Sequence, residues 1–264
     1  MWNSFKKGWL GLRSRRGGQS SNPPISGTLV ALASFDGSSI GTTGGNTTSG
    51  VTLDSQGNLF GTTTTGGAFG YGTVYEIAKG SSSLVTVASF DVSNGAHPSG
   101  NIAIDAQGNL YGATQGGGPG GLYDGLGTVW EIAKGTDTIT TLASFSVATG
   151  YQPLSGVALD AQGDLYSTAF RGGLDGLGTV WELVKGSNTI STLVSFNGTN
   201  GEYPTFGVIL DAQGNLYGAS GTLWEIAKGS NTITTLDAHW FGPASMDSQG
   251  NFYEVGFRDR KSVV

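Results

Sequence analysis

Four glutamates, Glu76, Glu131, Glu182 and Glu225, recur at one position of a repeated phrase, each directly after Tyr or Trp and before Ile or Leu. Carboxylates in series invite general acid–base chemistry, which needs two of them close enough to share one substrate. Copies separated by a long repeat belong to different structural units. Each glutamate is therefore read as a strand-edge charge near the lysine that follows it (Lys79, Lys134, Lys185, Lys228). Histidine occurs only as His97 and His239, in unlike surroundings, too few for a histidine metal centre and poor material for a serine triad. Cysteine is absent, so thiolate chemistry and disulfides are excluded. The run Gly116–Gly121 would need a helix after it to cradle phosphate; it reads as a flexible loop with no helix following.

A second phrase is Asp-x-Gln-Gly-Asn or Asp, beginning at Asp54, Asp105, Asp160, Asp211 and Asp247. Crowded oxygens beside a glycine suggest calcium. That ion takes six to eight oxygens, usually from alternate Asp or Asn with a distal carboxylate, and Ala or Ser with Gln do not reproduce this. Turn chemistry is the better reading: Asp caps local amides, Gly supplies positive φ, and Asn tolerates the same region. No metal and no cofactor are called for.

These phrases recur at spacings of 51, 55, 51 and 36 residues, the signature of a tandem repeat. Within Gly156–Phe196, Val157–Asp160 and Leu165–Ala169 form a hairpin, Thr179–Val184 a third strand and Thr189–Phe196 a fourth, with a Gly-rich loop between the second and third. A four-stranded meander that is apolar on both faces needs a neighbour on each face, which a ring of blades supplies. The first strand alternates Leu53, Ile104, Leu159 and Leu210 with small residues, whereas the third carries Tyr75, Trp130, Trp181 and Trp224, as a wedge widening away from an axis requires. The fold class is all-β: a β-propeller of five blades, each a four-stranded antiparallel sheet. Strands from both termini close the last blade, Leu29–Phe35 supplying its fourth strand and Ala244–Asp247 and Phe252–Phe257 its first two. Its third strand is missing unless Trp2–Gly8 provides it, so the blade is incomplete or the chain is a piece of a larger ring.

The 264 residues include 47 glycines, only 12% are charged, and the net charge is −6. The bases cluster at the ends, leaving 18 acids against 5 bases between residues 17 and 257. That acidic body argues against nucleic acid as a partner. No apolar run is long enough to span a membrane. Residues 1–27 read as a poorly ordered basic leader without a secretory signal, 28–257 as the propeller, and 258–264 as a tail outside the repeat.

The Leu-Tyr-Gly-Ala-Thr run at 110–114, the following Gly-Gly, Gly-Thr-Val-Trp-Glu at 127–131, Thr-Leu-Ala-Ser-Phe at 141–145 and the Gly-x-x-Pro step at 150–153 carry a resemblance. Over Leu29–Phe257 the chain resembles the GloVer-type tandem repeat of bacterial choice-of-anchor proteins. The resemblance implies an extracellular or surface-attached bacterial protein and brings no activity with it. Such proteins often end in a sorting signal, and none is visible here. The Asp-x-x-Gly-Asn-Leu-Tyr hairpin is also similar to NHL and gluconolactonase-type propellers, a likeness of fold rather than function.

On one face of such a blade the tight turns hardly vary between copies. On the other face the loops do, and variable loops on a rigid scaffold are the usual seat of recognition. The candidate binding residues are His97, Tyr123, Asp124, Tyr151, Gln152, Arg171, Asp175, Glu202 and Tyr203. The expected function is a non-catalytic binding or structural module, taking glycan or a surface protein through its loop-rich face. A metal-dependent hydrolase or lyase of the lactonase-like kind and a purely structural surface repeat are the alternatives.

Overall fold

The computed structural model of the chain describes residues 31–35, 43–47, 49–238, 244–247 and 252–254. The first blade consists of β1 (Thr52–Leu53), β2 (Leu59–Thr63), β3 (Thr73–Ile77) and β4 (Leu84–Ser89). The second consists of β5 (Ala96–Ile104), β6 (Leu110–Gly116), β7 (Thr128–Ile132) and β8 (Ile139–Ser144), with a single helical turn α1 (Gly121–Asp124) between β6 and β7. The third is β9 (Ala158–Leu159), β10 (Leu165–Ala169), β11 (Thr179–Leu183) and β12 (Ile190–Ser195). The fourth is β13 (Ile209–Leu210), β14 (Leu216–Ala219), β15 (Leu223–Ile226) and β16 (Thr234–Asp237). Each is an antiparallel meander in chain order, and β17 (Ala244–Met246) pairs with β18 (Phe252–Glu254) to begin a fifth. The first strands β1, β5, β9, β13 and β17 touch one another in succession, so the blades stand side by side with their first strands innermost.

The Asp-x-Gln-Gly-Asn phrase holds both tight turns of a blade together. Asp54 Oδ1 accepts from the N–H groups of Gln56 at 2.9 Å and Asn58 at 2.8 Å. Asn58 Nδ2 donates to Asp54 Oδ2, while Asn58 Oδ1 accepts from Lys79 N–H in the turn between the third and fourth strands. The same set joins Asp105, Asn109 and Lys134, and again Asp211, Asn215 and Lys228. In the third blade Asp164 stands for the asparagine and keeps the bond to Lys185 N–H. The repeated side-chain oxygens are thus committed to turn amides, as the sequence predicts.

Between blades the packing is aromatic. Trp130, Trp181 and Trp224 are fully buried, and each meets the phenylalanine that directly follows the preceding blade's fourth strand. Phe90–Trp130, Phe145–Trp181 and Phe196–Trp224 have ring centroids 5.7, 5.3 and 5.8 Å apart. Phe35 meets Tyr75 at 5.1 Å in the same way, and so occupies the place of the residue that follows the fourth strand of a blade preceding the first. A further shared feature is a one-residue register shift between third and fourth strands after Val74, Val129, Val180 and Leu223, a bulge that increases the local twist. Gly112 lies under Trp130, where a Cβ would overlap the indole. Gly61 and Gly218 repeat that relation with Tyr75 and Trp224, so the small residue of the second strand makes room for the large one of the third.

Two expectations change. β5 starts at Ala96, inside the segment read as a loop, because Ala96, Pro98 and Ser99 pair with β6 before the ladder breaks and resumes at Ala103. The Gly116–Gly121 run does lead into a helix. It is one turn of four residues, closed by Gly125 N–H on Gly121 C=O, and offers too few free amides to cradle phosphate. Among the described residues the fifth sheet has two strands, and 31–35 carries no regular strand. The leader 1–27, the Trp2–Gly8 segment, His239 and the tail 258–264 lie outside the described residues.

Candidate functional site

Each new blade is docked onto the loops of the one before by a short step: Gly95-Ala-His-Pro98, Gly150-Tyr-Gln-Pro153 and Gly201-Glu-Tyr-Pro204. The prolines are buried, and the residue before each has a left-handed backbone: His97 at φ 55°, Gln152 at 55° and Tyr203 at 45°. Asn46 at φ 60° holds the corresponding place ahead of the first blade. Non-glycine residues in this region carry roughly 1–2 kcal/mol of strain, and such residues gather at functional sites. Backbone bonds hold the conformation: the N–H groups of His97, Gln152 and Tyr203 donate to the carbonyls of Tyr71, Leu126 and Leu177 at 2.8, 3.2 and 2.8 Å. Four unlike side chains (Asn, His, Gln, Tyr) are therefore presented from one rigid, repeated position at the blade seams.

Of the nine candidates, four converge at the third blade. Tyr151 and Arg171 exchange backbone bonds at 2.9 and 3.2 Å, and Phe170 N–H donates to Gln152 C=O. Tyr203 reaches across from the fourth blade to stack on Phe170 at 5.4 Å with the rings tilted by 40°. The Arg171 guanidinium carbon lies 5.4 Å from the Phe170 centroid and 5.8 Å from that of Tyr203. Arg171 and Tyr203 are exposed, and Tyr151 is half-buried. Glu202 is exposed beside Tyr203, its N–H bonded to Ser220 C=O, and Asp175 is exposed at the tip of the third-blade loop next to Leu174. His97 belongs to a different seam, where Nδ1 is 2.8 Å from Thr64 C=O and the ring faces Tyr71 at 6.2 Å. Tyr123 and Asp124 form part of the turn α1.

Phe170 is the residue that sequence reading missed. Its signal was present: Thr64 and Gln115 hold the equivalent positions in the first two blades, so an aromatic there breaks the repeat.

The opposite face offers a different kind of cavity. Grooves of about 520 Å³ between the first two blades and about 550 Å³ between the third and fourth open among the tight turns. Their walls include Asp105, Glu76 and Lys134 in one, and Tyr166, Glu182 and Asp211 in the other. Part of that polar lining is already engaged: Tyr166 OH lies 3.3 Å from Asp160 Oδ2, and Asp105 and Asp211 are each bonded to a tyrosine outside the lining. Tyr111 OH lies 3.0 Å from Asp105 Oδ2 and 3.1 Å from Glu131 Oε1, and Tyr217 OH stands likewise between Asp211 and Glu225. The glutamate series thus partners second-strand tyrosines rather than the lysines, and Phe60 leaves the first blade without that link. Burial first, then the bonded and charged carboxylates, raise the Tyr111 and Tyr166 hydroxyls and push Tyr217 up to about 12. At Asp54, Asp105 and Asp211 partial burial opposes ionisation, but the donors from the turn outweigh it and hold the carboxyls below the usual range.

Among the described residues no three His, Asp or Glu side chains are grouped so as to hold an ion, and no helix is long and apolar enough to cross a membrane.

Similarity to solved structures is one of fold. The chain superposes on a protein in the nidogen/laminin complex with a TM-score of 0.54 at 12% identity, covering 77% of this chain and 70% of that one. A protein provisionally described as a gluconolactonase gives 0.51 at 13% identity, covering 77% and 72%. TolB from Acinetobacter baumannii gives 0.48 at 14% identity over 73% of this chain, which spans 44% of TolB. Among curated proteins none matches the sequence. The Gloeobacter/Verrucomicrobia repeat model matches residues 119–253, just over half of the chain, and the protein belongs to that repeat family.

Proposed function

We propose that the protein is a non-catalytic recognition module, acting outside the cytoplasm, that binds glycan through the loop-rich face of its propeller. The observation that carries this reading is the convergence of Tyr151, Arg171, Phe170 and Tyr203 on one exposed seam, two of them on steps whose backbone is held left-handed. Rigid aromatics flanked by polar side chains suit sugars, whose C–H groups contact ring edges while their hydroxyls take hydrogen bonds. The grooves on the tight-turn face suit a ligand less well, because Tyr166 and Asp160 in one are bonded to each other and Asp105 in the other is committed to Asn109 and Tyr111. Placement outside the cytoplasm rests on the family, and fractionation of the producing cells tests it.

The binding reading is tested by applying labelled protein to a glycan array. Saturable binding to a restricted set of structures, reduced at least tenfold by Tyr203→Ala, is expected. An array without saturable signal would remove the glycan reading. A stoichiometric divalent ion in the purified protein would favour a metal-dependent hydrolase instead.

A further inference from the structure

Five basic residues lie between residues 17 and 257, and four of them occupy one repeated position. Lys79, Lys134, Lys185 and Lys228 each stand in the turn after the third strand, with the backbone N–H bonded to the Asn or Asp of the neighbouring turn. All four therefore belong to the tight-turn face. Arg171 is the fifth, and among the described residues it is the one base on the loop-rich face. It has no carboxylate partner among those residues, although Asp175 and Glu202 are in the same loop region. Its side chain lies instead over the rings of Phe170 and Tyr203.

That arrangement has a chemical meaning. An arginine lying over aromatic rings keeps the edge of its planar fork free, and that edge matches a carboxylate in a bidentate pair. Cation–π contact with two rings restricts the guanidinium before any ligand arrives, which reduces the ordering cost of binding. Neither aromatic partner follows from the repeat: the positions of Phe170 and Tyr203 carry Thr64 and His97 at the first seam, Gln115 and Gln152 at the second. The charge balance then limits the ligand. One cation on the described loop-rich face, in a stretch from 17 to 257 with 18 acids, attracts one anionic group and repels a chain of them.

We infer that the Arg171–Phe170–Tyr203 cluster recognises the single carboxylate of an acidic sugar, a uronate at the end of an otherwise neutral glycan, with Tyr151 beside it. The inference rests on the glycan reading and specifies the chemistry of that site. Arg171 binds the carboxylate and the aromatic edges contact the ring of the same sugar.

The test compares methyl β-D-glucuronide with methyl β-D-glucoside, which differ only in a carboxylate for a hydroxymethyl group, by NMR titration of the full chain. Two charge-assisted bonds predict binding of the glucuronide about tenfold tighter, with a shift of the Arg171 Nε–Hε resonance. Arg171→Gln should abolish that preference, and Arg171→Lys should restore only part of it because the charge remains without the fork. An oligomer of linked uronates should bind no more tightly than the monomer. Equal affinities for the two glycosides, with Tyr203→Ala weakening both, would overturn the carboxylate inference and leave the glycan reading standing. Acetate displacing the glucuronide at equal concentration would keep the carboxylate site and overturn the sugar. No shift with any of these probes overturns both.

Discussion

At the scale of single residues, the turns rely on side chains that bond two partners at once. Asn109 accepts from Lys134 N–H and donates to Asp105, so Asn109→Ala should cost about 1–3 kcal/mol, measured by urea denaturation. The lowered carboxyls of Asp54, Asp105 and Asp211 fix an acid limit. Their contribution is present above the unfolded value, about pH 4, and is lost as pH falls through the lower native values. The melting temperature should therefore drop between about pH 5 and pH 2, and less steeply in Asp105→Asn; a flat profile in the parent would contradict the role given to these turns. Tyr217 sets the opposite limit: raised to about 12, it contributes stability below the unfolded value near 10 that is lost as pH rises through 12. The left-handed steps allow a stability test. Gln152→Gly relieves strain and should leave stability within about 1 kcal/mol of the parent, whereas Gly172→Ala places a Cβ 2.6 Å from Val147 C=O at φ 85° and should lose more.

At the scale of the strand and blade, the decisive relation is a small residue on the second strand beneath a large one on the third. Gly112→Ala should destabilise by about 1–3 kcal/mol, because the Trp130 indole is fully buried and has no room to yield. Strand order and turn identity were legible in the sequence, since Asp, Gly and Asn mark the hairpin turn and Val-Trp-Glu-Ile marks the third strand at fixed distances. The bulge after Val129 was not, because Thr140, Thr141 and Leu142 are all acceptable strand residues and nothing in them marks Leu142 as the one left out of the ladder. The early start of β5 was hidden for a related reason: Gly95, Pro98 and Gly100 signal a loop, and only pairing with β6 makes that stretch a strand. The glutamates were misread toward lysine because the partner, Tyr111, lies on the neighbouring strand twenty residues away.

At the scale of the whole molecule, the first four blades are joined to one another by aromatic pairs. Phe145→Ala should cost about 3–5 kcal/mol and loosen the second and third blades together, seen as faster amide exchange in both. The side-by-side blades put tight turns on one face and variable loops on the other. Tight turns converge on a bonded network, while the loops meet at seams where Tyr151, Arg171 and Tyr203, distant in sequence, become neighbours. Nine candidate residues were legible as variable loop positions; which four converge was not, because the Gly-x-x-Pro step that docks one blade on another acts only in three dimensions. The most direct test of this division is binding of an array-identified glycan by two variants of the full chain, Tyr203→Ala on the loop-rich face and Lys134→Ala on the tight-turn face. The account predicts that the first loses at least tenfold in affinity and the second keeps it; loss confined to Lys134→Ala would place recognition in the turn-face grooves and contradict it.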